Sequence, residues 1–205
     1  MLKIHDEIEN TIIIKKSKFI THIYRVDNID EVNEILANTR KKYYDATHNC
    51  YAYILGDNQE IQKASDDGEP QKTAGMPILE VLKNNNLTNV LAIVTRYFGG
   101  TLLGAGGLVR AYSSSISQAL INAKYYTGLL QTKFSLTISY SDYNNLLNIK
   151  DINIIESSFL NDIIVIASID IDKFNNLEEI LYKNKVNSIN INKIGDFVIE
   201  IPISA

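Results

Sequence analysis

Apolar and polar positions change rhythm several times along this chain, and each rhythm predicts an element. Residues 18–26 (KFITHIYRV) read as a strand, after a shorter strand at 11–14. Asn28 and Glu31 stand at the spacing of a capping box. Val32, Ile35, Leu36, Thr39 and Tyr43 then recur at helical spacing, so a helix to about Tyr44 is expected. Residues 48–55 return to alternation, with Cys50, Ala52 and Ile54 on one face and Tyr51, Tyr53 and Leu55 on the other. Residues 56–58 are turn-like, and a short strand near Ile61 is expected to pair back. Residues 65–75 are dense in turn formers. Pro77 suits the first turn of a helix running to about Lys83. Residues 90–98 form a continuous apolar run, which predicts a buried strand. Leu108, Val109, Ala111, Tyr112, Ile116, Ala119, Leu120 and Ala123 mark a helix ending near Lys124.

Residues 125–130 read as a junction, and a second pattern follows. Strands are expected at 134–140, 152–160 and 163–171, with a hairpin signal at Asn161–Asp162. Ser141 is the expected cap of a helix carrying Tyr143, Leu146 and Leu147, and Phe174, Leu177 and Leu181 mark another. Val186 opens a last strand region. The order is β-α-β-β-α-β, the ferredoxin-like or split-βαβ plan, with an additional strand at 197–203 after a turn at Gly195–Asp196. The expected class is α+β, with domains at 1–127 and 131–205.

Composition narrows the function classes. Hydrophobic content is 45% and charged content 21%, ordinary for a globular chain. No apolar run approaches the ~18–20 residues that span a bilayer, and the N-terminus lacks the pattern of a signal peptide. No membrane partner is expected, and a cytoplasmic location is. The single Cys50 excludes an internal disulfide and a multi-cysteine zinc site. Through residue 130 there are 14 basic and 14 acidic residues, and all four arginines (Arg25, Arg40, Arg96, Arg110) lie there. From 131 onward there are 6 lysines and 10 acidic residues, so any anion site belongs to the first part.

Half of the ten glycines fall in nine positions, Gly99, Gly100, Gly104, Gly106 and Gly107. The dinucleotide fingerprint fails because Val109 stands at its last glycine, and the P-loop fails because Ala105 and Gly106 follow Gly104. What remains is a strand-to-helix corner whose free N–H groups favour an anion, with Arg96 and Arg110 near it. The plain alternative is a tight corner with solvated or paired arginines. Asp66, Asp67 and Glu69 read as an ordered turn, with a Mg²⁺ or Ca²⁺ site as the alternative. His48 and Cys50 share a strand face, as a secondary site or as a half-buried histidine beside a small apolar residue. Ser113, Ser114, Ser115 and Ser117 lie inside a helix without the nucleophile-elbow motif.

Three stretches together carry a resemblance: ATHNCYAY at 46–53, ASDDGEPQKTAGMPILEVL at 64–82 and VTRYFGGTLLGAGGLVRAY at 94–112. With KKSKFI at 15–20 they resemble the YigZ/IMPACT family. The resemblance implies a first domain similar to the second domain of a small-subunit ribosomal protein, a fold shared with GHMP kinases. It also implies a smaller ferredoxin-like domain in the tail. Eukaryotic relatives regulate translation by binding a large activator of a stress kinase. The peptidase labels of some bacterial relatives find no metal-ligand set here, and Gln71-Lys72 departs from the small residues of many relatives.

The resulting expectation is a non-enzymatic binding protein linked to translation regulation, with no cofactor. It docks RNA, the ribosome or a translation-linked protein through the first domain, at Arg96, Arg110 and the glycine corner. One alternative is an enzyme for a phosphorylated or small anionic substrate, with Mg²⁺ on Asp66, Asp67 and Glu69. The other is a regulator that only binds proteins.

Overall fold

The structure, a computed structural model, describes residues 1–203. Two compact units emerge, Met1–Thr127 with the end of the chain from Pro202, and Gly128–Ile201.

The first unit contains β1 (Leu2–Ile4), β2 (Ile8–Ile14), β3 (Ser17–Arg25), α1 (Ile29–Lys42), β4 (His48–Leu55) and β5 (Ile61–Ser65). It continues through α2 (Gly75–Asn84), β6 (Val90–Tyr97) and α3 (Ala105–Ala119). Its sheet is antiparallel in the order β2-β3-β6-β4-β5, so β6 is central. Alternation splits each central strand between two cores. Phe19, Ile23, Cys50, Ala52, Ile54, Ala92 and Val94 pack with residues of α2 and α3. Tyr51, Tyr53, Leu91 and Ile93 pack instead with Val32 and Leu36 of α1. Covering on both faces explains why β6 reads as a nearly continuous apolar run and why the alternating positions of β4 are apolar or aromatic on both faces.

Local chemistry sets the helix boundaries. The Asn28 side chain accepts a 2.9 Å bond from the Glu31 N–H, and Glu31 reaches back to the Asp27 N–H at 2.8 Å. The cap expected from sequence forms, shifted by one residue on its return arm. α2 begins at Gly75, so Pro77 is its third residue. α3 stops at Ala119, five residues before the expected end near Lys124. The chain leaves the helix there because Tyr125 already opens the next strand and pairs with Ile4.

That strand, β7 (Tyr125–Ile138), replaces the expected junction: Tyr125–Thr127 pair with β1, and Gln131–Ile138 with β9. The second unit continues with α4 (Tyr140–Leu147), β8 (Asn153–Phe159), β9 (Ile163–Asp170), α5 (Ile171–Phe174), α6 (Leu177–Lys183) and β10 (Ser188–Pro202). Ser139, not Ser141, caps α4, accepting from the Asp142 N–H at 3.3 Å. The expected second helix is two short helices. No turn interrupts the chain at Gly195–Asp196; both lie inside β10, so the expected additional strand at 197–203 is the second half of one long strand. Strands β10, β7, β9 and β8 lie side by side in that order. Phe134, Leu136, Val165 and Ala167 bury one face of this sheet with Leu146 of α4 and Leu177 and Leu181 of α6. The mixed α+β class read from the sequence is the class observed.

Candidate functional site

Arg96, near the end of β6, stands across from His48 of β4 and Phe19 of β3. Directly opposed residues share a face, so an arginine is committed to the face that α2 and α3 cover. A buried guanidinium requires a counter-charge. Glu69 supplies it: its Oε1 accepts from Arg96 Nη1 at 2.6 Å and from the Tyr112 hydroxyl of α3 at 2.8 Å. The two side chains are 6% and 3% exposed, so water does not screen the pair. Arg96 Nη2 donates to Ser17 Oγ at 3.3 Å, and the guanidinium lies near the rings of Phe19 and Phe98. Its Nε has no hydrogen-bond partner among the described residues.

His48 Nδ1 lies 2.8 Å from the Asp67 carbonyl oxygen. A carbonyl only accepts, so Nδ1 carries the proton and Nε2 of the neutral ring holds a lone pair. That Nε2 lies 3.8 Å from Glu69 Oε2.

The acidic turn distributes its three carboxylates to three tasks. Asp66 accepts from the N–H groups of Lys72, Ala74 and Gly75 at 2.8–3.0 Å, and so holds the start of α2. Asp67 accepts from the Asn49 N–H at 2.7 Å and lies 3.7 Å from Arg40. Glu69 alone enters the buried network. Among the described residues no group of three or more His, Cys, Asp and Glu side chains is placed to hold a metal ion. Asp66, Asp67 and Glu69 turn to different partners in this structure. Gly68, at φ +88, completes the turn, and a Cβ there would come 3.3 Å from the His48 ring.

The Cys50 thiol faces away from nucleophilic chemistry. It is fully buried and donates to the Asp66 carbonyl at 2.9 Å. Burial first, and then the nearby carboxylates, push its pKa well above the ordinary thiol value, against the opposing effect of the hydrogen bond it shares with Tyr112. Of the pair, only His48 reaches accessible space. Of the serines, Ser115 is buried and bonds back to the Ala111 carbonyl within α3.

The glycines do different jobs. A Cβ on Gly99 would fall 2.0 Å from the Lys16 carbonyl carbon, so close backbone approach demands glycine there. Gly100 and Gly104 have positive φ of +80 and +71. Gly104 is the N-cap of α3 with no side-chain cap bond. Gly106 has open space around it, and Gly107 sits against Leu103.

A cavity of about 340 Å³ brings several of these residues together. His48, Glu69 and Arg96 contribute its polar part, and Gly104 and Ala105 bring the start of α3 to it. Phe98, Leu102, Leu103 and Leu108 supply apolar walls, with Phe98 45% and Leu102 83% exposed. Arg110 is exposed on α3 and does not line this space. Ser17, Phe19 and Tyr112 complete the network, and sequence reading had not singled them out. The available signal was Tyr112, a phenol among core positions of a helix, whose buried hydroxyl needs a partner.

Comparison with known proteins places these residues in a family. The Impact N-terminal domain model matches residues 15–120. The chain is 47% identical to the IMPACT family member YvyE of Bacillus subtilis, over 74% of this chain and 68% of that protein. It is 38% identical to the IMPACT family member YigZ of Escherichia coli, over 62% of this chain and 63% of that one. A crystal structure of a hypothetical protein superposes with a TM-score of 0.60 at 29% identity, covering 91% of this chain and 95% of that one. The cavity and its network lie within the matched segment, and the chain belongs to the IMPACT family.

Proposed function

We propose that this chain is a binding protein of translation regulation that docks a translation-linked protein through its first unit, at the cavity beside the β6–α3 corner. The observation that carries the reading is the cavity's make-up: an ordered polar floor under an exposed apolar rim of Phe98 and Leu102. Apolar walls around a few convergent polar groups are the anatomy of a binding pocket, and the exposed Phe98 and Leu102 suit a protein segment. Family membership supports the regulatory setting, since the resemblance links eukaryotic members to translational control. RNA docking through Arg96 and Arg110 is less favoured. Arg96 is neutralised by Glu69, Arg110 is off the cavity, and the chain carries a net charge of −4.

Co-sedimentation with ribosomes tests this, using fractions that retain their associated factors and fractions stripped of them by salt. The wild-type chain is expected to sediment with the unstripped fraction, and Phe98→Ala/Leu102→Ala to lose that association. Equal sedimentation of the double variant would remove the cavity from the reading. Retention on protein-free RNA with a steep fall in added salt would favour RNA instead.

A further inference from the structure

The cavity floor carries a chemical asymmetry that the docking reading does not use. Glu69 Oε1 is saturated by Arg96 and Tyr112, whereas Oε2 makes no hydrogen bond among the described residues. The side chain is 3% exposed, yet Glu69 lines the cavity, so its remaining lone pairs are served from that space. The neighbouring His48 presents Nε2 3.8 Å away. The Asp67 carbonyl holds a proton on Nδ1, so in the neutral tautomer Nε2 is also an acceptor. In that form two acceptors, Glu69 Oε2 and His48 Nε2, face one gap.

We infer that this gap receives a primary ammonium group on an apolar stem, a lysine side chain or chain N-terminus of the docked segment, held between Glu69 Oε2 and His48 Nε2. The inference rests on the docking reading above and specifies what enters the pocket. Three observations select an ammonium. At hydrogen-bond lengths of about 2.9 Å, acceptors 3.8 Å apart subtend roughly 80–85° at a shared donor. That suits the tetrahedral hydrogens of an ammonium better than the wider, planar fork of a carboxamide or guanidinium. Charge is the second: Asp66 and Asp67 lie in the same turn as Glu69, and among the described residues Arg96 and Arg40 are the arginines that pair with this turn. Consistently, all three carboxylates push the Cys50 thiol pKa up. The third is shape, because Leu103 and Leu108 line the space beside the acceptors and suit a methylene stem.

The test uses small probes on the full chain, so it does not depend on the partner's identity. Backbone amide NMR shifts are followed during titration with n-butylammonium, butyrate and n-butanol. Butylammonium is expected to move the amides of His48, Glu69 and Gly104 saturably, and butyrate to leave them unmoved. His48→Phe keeps a ring of similar size without the acceptor and is expected to weaken butylammonium about tenfold or more. Stronger binding of butyrate at the same amides would overturn the inference in favour of an anion held at the start of α3. Equal binding of butanol would reduce the site to an apolar pocket, and no binding by any probe would also overturn it. Because ribosome association is read separately through Phe98 and Leu102, the docking reading can survive when the ammonium inference falls.

Discussion

The two faces of the first sheet bury their polar groups in different ways. On the face covered by α2 and α3, Arg96, Glu69, Tyr112 and Ser17 bond one another in one network, and although Arg96 Nε has no hydrogen bond among the described residues, Arg96 and Glu69 both line the cavity. On the α1 face, His22 is 2% exposed, bonds Tyr43 through Nε2 at 2.9 Å and leaves Nδ1 without a hydrogen bond. Glu7 and Glu9 stand 3.8 Å from that nitrogen. One face spends its polar residues on a connected network beside accessible space. The other tolerates a single sealed imidazole. The difference separates a candidate site from a buried polar residue better than residue type does, since each face holds a histidine.

The sharpest way to break the comparison is to unpair the network. Glu69→Ala leaves the Arg96 guanidinium buried without its counter-charge, and a loss of ~3–5 kcal/mol is expected in denaturant unfolding. Replacing both partners by apolar residues of similar volume, Arg96→Met with Glu69→Leu, is expected to recover most of that loss. A single-variant loss below about 1 kcal/mol, the range of exposed pairs, would mean the pair is hydrated and the two faces are alike.

Next in size is the corner that sets the cavity's edge. Gly99→Ala places a Cβ 2.0 Å from the Lys16 carbonyl carbon, so one backbone must move. A loss of about 1–3 kcal/mol is expected, the range of overpacked sites. Gly106→Ala meets no atom within 4 Å and fills a helical position, so it is expected to be neutral or slightly stabilising. Similar thermal midpoints for the two variants would contradict the distinct jobs assigned to these glycines.

The two faces also differ in how their helices are capped, and here the reach of the sequence becomes visible. On the α1 face Asn28 bonds Glu31 three residues on, a local pattern that the sequence displays. Asp66 bonds the N–H groups of Ala74 and Gly75, eight and nine residues on, after a turn through Asp67 and Gly68. No local motif announces that reach, so Asp66 read only as part of an acidic turn. The same limit applies to Arg96. Its strand was legible from 90–98, but its burial was not, because its partner lies 27 residues away and the choice among three carboxylates is made by turn geometry. Central strand β6 was plain because burial on both faces leaves a continuous apolar run, and β4 because its positions alternate between two faces. The first half of β7 was missed because Tyr125–Leu130 alternates weakly and pairs at Tyr125–Thr127 with the three-residue β1. Asp66→Ala is accordingly expected to cost about 1–2 kcal/mol and Asn28→Ala about 1 kcal/mol or less. A smaller effect for Asp66 than for Asn28 would show that its bonds are dispensable.

The smallest expected effect is the proton linked to His22. Burial lowers its pKa from the ordinary value of 6.5, opposed by Glu9 and Glu7 and reinforced by Lys42. The unfolded chain therefore binds more protons near and below pH 6.5, and stability falls as pH drops through that range toward the lowered native value. The stabilising contribution is fully present above that window. One proton limits the slope to about 1.4 kcal/mol per pH unit. Tyr24 and Tyr43 also face the ring, and burial pushes the Tyr24 hydroxyl up to about 12. Replacing Glu7 and Glu9 by glutamine removes the opposing charges and should steepen the acid limb of unfolding curves taken between pH 5 and 7.5. His22→Phe should flatten it. A His22→Phe curve parallel to wild type would mean the imidazole is already hydrated on the α1 face, and the contrast between a sealed histidine and a cavity-facing one would fail.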